Sequence, residues 1–93
     1  MVKVKIDGFI KKVKEVENVN ANLKKQIIFV DTHGNKPQSY EIAFWNQKTD
    51  LLKGYGAGNG VVVEGFLNGK YFEKPDGKEG TYLSIVAETI QKV

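Results

Sequence analysis

The first segment of the chain, residues 2–16, alternates apolar and charged side chains and therefore predicts a β-strand. Val2, Val4 and Ile6 share one face of this strand. The alternation breaks at Gly8, and a glycine inside a strand often marks a bulge. A long first strand that bends at a glycine and passes between sheets is typical of a small closed barrel.

Four later stretches predict the remaining strands, at residues 24–32, 38–45, 61–67 and 81–90. Asn68-Gly69 predicts a hairpin turn that leads into residues 70–74, and Pro75-Asp76-Gly77 predicts a second tight turn. Residues 46–53 predict a short helix, with Asn46 as its N-cap and Gly54 directly after its end.

Strict alternation also predicts which side chains face the interior, because neighbouring residues of a strand point to opposite faces. The predicted inward set is Val4, Ile6, Ile27, Phe29, Ile42, Phe44, Val61, Val63, Leu83 and Ile85. On the third strand this assignment directs Trp45 outward. The order of three strands, one short helix, then two strands in a single domain of residues 1–93 predicts an all-β, five-stranded Greek-key barrel of the OB-fold type, with the helix between strands 3 and 4.

Composition narrows the choice of partner. The formal net charge is +3, and all 14 basic residues are lysines. Lysine suits phosphate contacts, whereas arginine is the usual reader of guanine edges, so this composition favours backbone binding with little sequence readout. Codon bias of an AT-rich genome would explain the missing arginine equally well.

Catalytic and metal chemistry find little support in the sequence. Cysteine is absent, the single histidine, His33, lies in a predicted turn, and the acidic residues are scattered singly. The glycine-rich stretch at residues 54–60 precedes a strand, whereas a phosphate-binding loop would open a helix. We therefore expect no enzymatic activity and no cofactor.

Candidate binding residues combine aromatic rings with lysines, the pairing that single-strand binders use for base stacking and phosphate contact. The first candidate is Trp45, at the end of the third strand, where its outward ring would be available to a base. In the alternative interpretation, the start of the helix or another subunit covers this ring. A second group interleaves rings and charges on the predicted hairpin; alternatively, both rings cover a small satellite core. The candidates are Trp45, Lys24, Lys25, Lys70, Tyr71, Phe72 and Lys74.

These elements together resemble the bacterial and phage single-stranded DNA-binding proteins. The resemblance runs through Tyr40-Glu41-Ile42-Ala43-Phe44-Trp45-Asn46, Val61-Val62-Val63-Glu64-Gly65-Phe66-Leu67, Lys70-Tyr71-Phe72 and Asp76-Gly77-Lys78. It implies that Trp45 and Phe72 are base-stacking aromatics. Ser39 stands where many members carry a stacking tryptophan, which implies a weaker platform.

The resemblance further implies a function: coating and protecting single-stranded DNA during replication, recombination or repair. It implies a homo-oligomer, a dimer or tetramer, in the cytoplasm of a bacterial or phage-infected cell, and RNA stays open as a second ligand. No segment has the length or apolarity of a membrane span or signal peptide, so no membrane partner is expected. The alternative function is an OB-fold module that binds protein or oligosaccharide without nucleic acid.

Overall fold

The computed structural model describes all 93 residues, Met1–Val93. Six strands and one 3₁₀ helix make up the fold. The strands are β1 (Val2–Val13), β2 (Glu17–Asn20), β3 (Leu23–Thr32), β4 (Ser39–Trp45), β5 (Gly60–Glu73) and β6 (Glu79–Lys92). The 3₁₀ helix covers Asn46–Leu52, between β4 and β5.

The strands form one sheet in the order β1-β5-β6-β4-β3-β2, and an additional pairing of β1 with β3 closes it into a barrel. All pairings are antiparallel except the short parallel contact of β4 with β6. This closed Greek-key arrangement, with the helix between its third and fourth principal strands, confirms the predicted OB-fold barrel. The short strand β2 pairs with the outer edge of β3 and forms a ribbon with it, between the first two predicted strands, where no strand was predicted.

Eleven buried apolar side chains form one core inside the barrel. They are Ile6, Ile10, Ile28, Val30, Ile42, Phe44, Leu52, Val61, Val63, Ala87 and Ile90. The inward prediction is thereby confirmed on β4 and β5. Val4 and Ile85 are half-buried, and Ile85 packs against the core.

The prediction for β3 was wrong by one residue. Ile28 and Val30 are fully buried, while Ile27 and Phe29 are half-buried and lie on the opposite face. The register explains this, since Ile28 pairs with the buried Ile42 and directly opposed residues share a face. The run Ile27-Ile28-Phe29-Val30 is apolar on both faces, so alternation alone could not define its phase.

The predicted turn at Asn68-Gly69 was also wrong. β5 continues through this dipeptide to Glu73, and Asn68 pairs with Ser84. The chain reverses instead at Pro75-Asp76-Gly77, where Gly77 has a φ of 85° and its N–H donates to the Lys74 carbonyl. Residues 68–84 therefore form a long two-stranded projection, which we call the arm.

Leu83 lies on this arm, outside the region where the barrel could cover it, and it is 67% exposed. Its assignment to the core was therefore wrong. The helix differs from the prediction as well, because Asn46 does not act as its N-cap. Asn46 has a φ of 53°, and its Oδ1 accepts a hydrogen bond from the Lys24 N–H of β3 at 3.1 Å. No helix of the protein has the length and apolarity needed to cross a membrane.

Gly8 lies where β1 begins to pair with β3 while still paired with β5. The bulge itself lies further along, between Ile10 and Lys12. A Cβ atom at Gly8 would overlap the backbone carbonyl of Asp31, which cannot move without breaking the β1–β3 closure. Glycine at this position is therefore needed for the close approach of two backbones.

We expect Gly8→Ala to lower the free energy of unfolding by roughly 1–3 kcal/mol, the usual cost of overpacking. In a domain of this size each kcal/mol shifts Tm by about 4–8 °C. Gly56→Ala is the matched control, because a Cβ there meets no atom within 4 Å and its φ is not positive. Thermal unfolding checks both variants, and equal Tm values would contradict the role given to Gly8.

Candidate nucleic-acid interface

The outward side chains of β3, β4, β5 and β6 form one continuous surface, which we call the outer face. Its middle is a cross-strand row of half-buried apolar residues. Ile27 opposes Ala43, Ala43 opposes Val86, and Val86 opposes Phe66. This row links the end of β4, where Trp45 lies, with the arm.

Trp45 lies at the end of β4 on the outer face, directly opposite Lys25 of β3. Its ring is half-buried, and the Lys25 ammonium lies 5.7 Å from the ring centroid, a cation–π distance. Lys25 is also 3.8 Å from the Glu17 carboxylate. Lys24, the preceding residue, is half-buried and its N–H is fixed by Asn46, but its side chain points to the other face of β3, in phase with the buried Ile28. The structure therefore brings Trp45 and Lys25 together on the outer face, with Lys24 at the same end of β3 but on its other face.

Phe72 and Tyr82 stack on the outer side of the arm. Their ring centroids are 4.5 Å apart with the planes 31° from parallel. Phe72 opposes Gly80, and its ring lies so close that a Cβ on Gly80 would be 3.0 Å from the ring edge. Lys70 opposes Tyr82, so a lysine borders the stacked pair. Tyr82 is 65% exposed, which leaves its ring open to a ligand.

The other side of the arm has a different character. Tyr71, Glu73 and Glu79 share it, and the Tyr71 hydroxyl donates a hydrogen bond of 2.6 Å to Glu79 Oε2. This hydrogen bond, with a smaller contribution from burial, raises the pKa of Tyr71 above its ordinary value. Tyr71 is therefore separated from Phe72 by the thickness of the sheet, on an acidic surface.

Lys74 occupies the first position of the turn that ends the arm. Its carbonyl accepts from Gly77 and its N–H donates to the Lys78 carbonyl, so the backbone is fixed while the side chain is exposed. Lys74 therefore presents its charge at the tip, near the stacked rings.

The two aromatic groups mark opposite ends of the outer face. Trp45 is two residues beyond Ala43, and Gly80, which opposes Phe72, is six residues before Val86 on the parallel strand β6. At about 3.3 Å per residue, the eight residues separate Trp45 from Phe72 by roughly 26 Å along the strands. The structure thus places them on one surface but not in one pocket.

Two aromatic residues of this surface were missed by the sequence reasoning. Tyr82 was overlooked because the hairpin was placed at Asn68-Gly69; a turn at Pro75-Asp76-Gly77 pairs Tyr82 with Lys70. Phe29 was assigned to the core, yet it opposes Lys12 and lines an open outer groove with Lys11, Lys12 and Ser39. No group of three or more His, Asp or Glu side chains is placed to hold a metal ion.

Solved structures with the same fold include the mitochondrial single-stranded DNA-binding protein Rim1 of S. cerevisiae. One crystal structure of Rim1 superposes with a TM-score of 0.78 at 27% identity, covering 98% of this chain and 93% of that chain. The selenomethionine-labelled form gives a TM-score of 0.76 at the same identity and coverage. The resemblance to single-stranded DNA-binding proteins is therefore confirmed, here through a yeast mitochondrial protein.

A comparison with curated proteins by sequence gave no match. A family profile described as "Domain of unknown function (DUF3127)" matches residues 5–91, which is nearly the whole barrel together with its arm. The chain therefore belongs to the family of the domain of unknown function DUF3127.

Proposed function

We propose that this protein binds single-stranded DNA along its outer face and performs no chemistry on it. The observation that carries the proposal is the pairing of aromatic rings with lysines at both ends of one barrel surface, where Tyr82 is exposed and Trp45 is half-buried. OB-folds bind oligonucleotides with the face of their second and third principal strands and with the adjoining loops, here β3, β4, β2 and the arm. The likeness to Rim1, a mitochondrial single-stranded DNA-binding protein, supports the same ligand.

At the β4 end, a base stacks on the Trp45 ring. Lys25 now rests over that ring, and its long stem lets the ammonium move to a phosphate when a base takes its place. Lys24, on the other face of β3, adds a second positive charge near the start of the 3₁₀ helix. Stacking of one base on an aromatic ring is worth about 1–3 kcal/mol.

At the arm, a base stacks on the exposed Tyr82 ring, which Phe72 supports from behind. Lys70 and Lys74 contact the adjacent phosphates. Tyr71, on the other side of the arm, supports this site indirectly, because its hydrogen bond to Glu79 joins β5 to β6. The row from Ile27 to Phe66 lies between the two ends and offers apolar contact to the connecting nucleotides.

In the cell, the protein would coat and protect single-stranded DNA during replication, recombination or repair. We propose further that the protein acts as a homo-oligomer, a dimer or tetramer, in which several outer faces share one strand. RNA offers the same stacking faces and phosphates, so discrimination against it would depend on contacts near the 2′-hydroxyl.

A titration with oligo-dT, RNA and duplex DNA tests the proposal, read out by tryptophan emission, since Trp45 is the only tryptophan. Saturable quenching by oligo-dT is expected, because stacking brings the base into contact with the ring. Tighter binding of duplex DNA than of oligo-dT would overturn the assignment.

Affinity should fall as salt is added, because each lysine–phosphate contact releases counterions. For single strands the slope of log K against log salt is about −0.7 per contact, so Lys24, Lys25, Lys70 and Lys74 together give about −2.8. Lys70→Gln should make the slope shallower by about 0.7. Lys5→Gln is the control, because Lys5 is an exposed lysine of β1, opposite Glu64, and none of the proposed phosphate contacts uses it. A slope unaffected by Lys70→Gln would remove Lys70 from the interface.

One observation favours a second candidate function, a protein-interaction module. Leu83 is 67% exposed on the acidic side of the arm, where a protein partner could cover it. Both functions are compatible with the barrel, since they would use opposite sides of the arm.

A further inference from the structure

A cleft of about 390 Å³ lies between the β2–β3 ribbon and the start of the 3₁₀ helix, whose first residues directly follow Trp45 in the chain. Its polar lining consists of Asn18, Asn20, Asn22, Asn46, Gln47 and Lys24. Five of these six side chains are amides, and no carboxylate lines the cleft. Each amide carries both a hydrogen-bond donor and an acceptor.

The protein's own hydrogen bonds use only part of this amide capacity. Asn20 Oδ1 accepts from the Asn22 N–H, and Asn46 Oδ1 accepts from the Lys24 N–H. The side chains of Asn18, Asn22 and Gln47 form no hydrogen bond within the protein, so their donors and acceptors are free for a ligand.

The position of Asn46 in the cleft is held by an unusual backbone. Its φ of 53° is the only positive value outside glycine, and such conformations cost energy and concentrate at functional sites. This conformation turns the chain sharply after Trp45 and keeps Gln47 in the wall of the cleft. The stacking ring and the amide cleft are thereby consecutive along the chain.

We propose that this cleft reads one unpaired base, with adenine as its preferred occupant. An amide donates to a ring nitrogen of adenine and accepts from its 6-amino group at the same time, which is the usual pairing of Asn or Gln with this base. Guanine presents two acceptors, O6 and N7, at the corresponding edge, so the acceptor oxygen of the amide would have no partner there. The inference rests on the proposed single-strand binding and adds a base preference to it.

The alternatives for this cleft fit its chemistry less well. A phosphate would need several cations or N–H donors, whereas Lys24 is the only charged side chain in the lining. An apolar partner would leave the free amides of Asn18, Asn22 and Gln47 without hydrogen bonds. A flat base with a donor beside an acceptor satisfies them.

The test uses short oligo-dT strands in which one central residue is replaced by dA or by purine deoxyriboside, which differ only in the 6-amino group. The readout is the ratio of the two Kd values, measured by anisotropy of a labelled strand. The dA strand should bind at least about 5-fold more tightly, the lower end for a good amide–base pair. Equal Kd values would show that the base at this position is held by stacking alone. They would overturn the proposed role of the cleft in reading the base.

The double variant Asn22→Ala/Gln47→Ala should bring the ratio close to one, and because the readout is a ratio, a general loss of affinity cancels. Asn35→Ala is the matched control, an exposed asparagine in the loop between β3 and β4, and it should keep the ratio. A ratio that survives the double variant would place base reading elsewhere. Absence of binding to every strand would overturn the proposed function together with the cleft, whereas strong binding without preference would overturn the cleft alone.

Discussion

Replacing both Trp45 and Phe72 by alanine is expected to weaken oligo-dT binding by roughly 30- to 20,000-fold. Each ring contributes about 1–3 kcal/mol when a base stacks on it or on the ring it supports. Effects of sites more than about 10 Å apart usually add, and these two lie well beyond that distance along the outer face. Each single variant should therefore lose about 5- to 150-fold.

The double-mutant cycle is measured by anisotropy of labelled oligo-dT, since the variants at position 45 have no tryptophan. Trp45→Phe is the control that retains a ring and should keep most of the affinity. Trp45 is half-buried, so melting curves are needed to express affinity per folded molecule. A core tryptophan would instead lose about 3–5 kcal/mol of stability on truncation. Unchanged affinity of the folded variant would identify Trp45 as a packing residue.

The barrel could be predicted from the sequence because most of its strands show an apolar or alternating pattern bounded by turn residues. β4 alternates cleanly from Tyr40 to Trp45, so Ile42 and Phe44 were assigned inward and both are fully buried. β3 carries apolar residues on both of its faces, because its outer side joins the row through Ile27 and Ala43. In such a strand, alternation does not show which face points into the barrel. Only the pairing register with β4 shows it.

The arm could not be predicted correctly because two turn signals compete only a few residues apart. Asn68-Gly69 favours a tight hairpin, but that turn requires positive φ at both residues, and neither has it. The Pro75-Asp76-Gly77 turn combines a fixed φ at proline with glycine in the left-handed region. The longer hairpin that results pairs β5 with β6 up to Glu73 and Glu79 and places the Tyr82 ring against that of Phe72. The stacked pair of Phe72 and Tyr82 was therefore missed because the turn was predicted at the wrong position.

In the candidate site, too, some features follow from residue type alone, whereas others depend on which strand residues are paired. Residue type alone selected Trp45, Phe72 and the lysines, since rings and ammonium groups are what a single strand requires. The separation of Tyr71 from Phe72 onto an acidic side depends on pairing, which brings Glu79 beside the Tyr71 hydroxyl. The amide cleft joins the β2–β3 ribbon to the helix start, which are more than twenty residues apart in sequence.

Tyr82→Ala should weaken oligo-dT binding by about 5- to 150-fold, whereas Leu83→Ala should leave it within about 2-fold. The two side chains are neighbours and almost equally exposed, 65% and 67%, but they point to opposite sides of the arm. Tyr82 stands beside Lys70 and Phe72, while Leu83 shares its side with Glu73 and Glu79, whose charges repel phosphates. Binding curves for both variants, with melting curves as the folding control, measure the difference. A loss confined to Leu83→Ala would place the strand on the acidic side, and equal losses would mean that the strand contacts both sides of the arm.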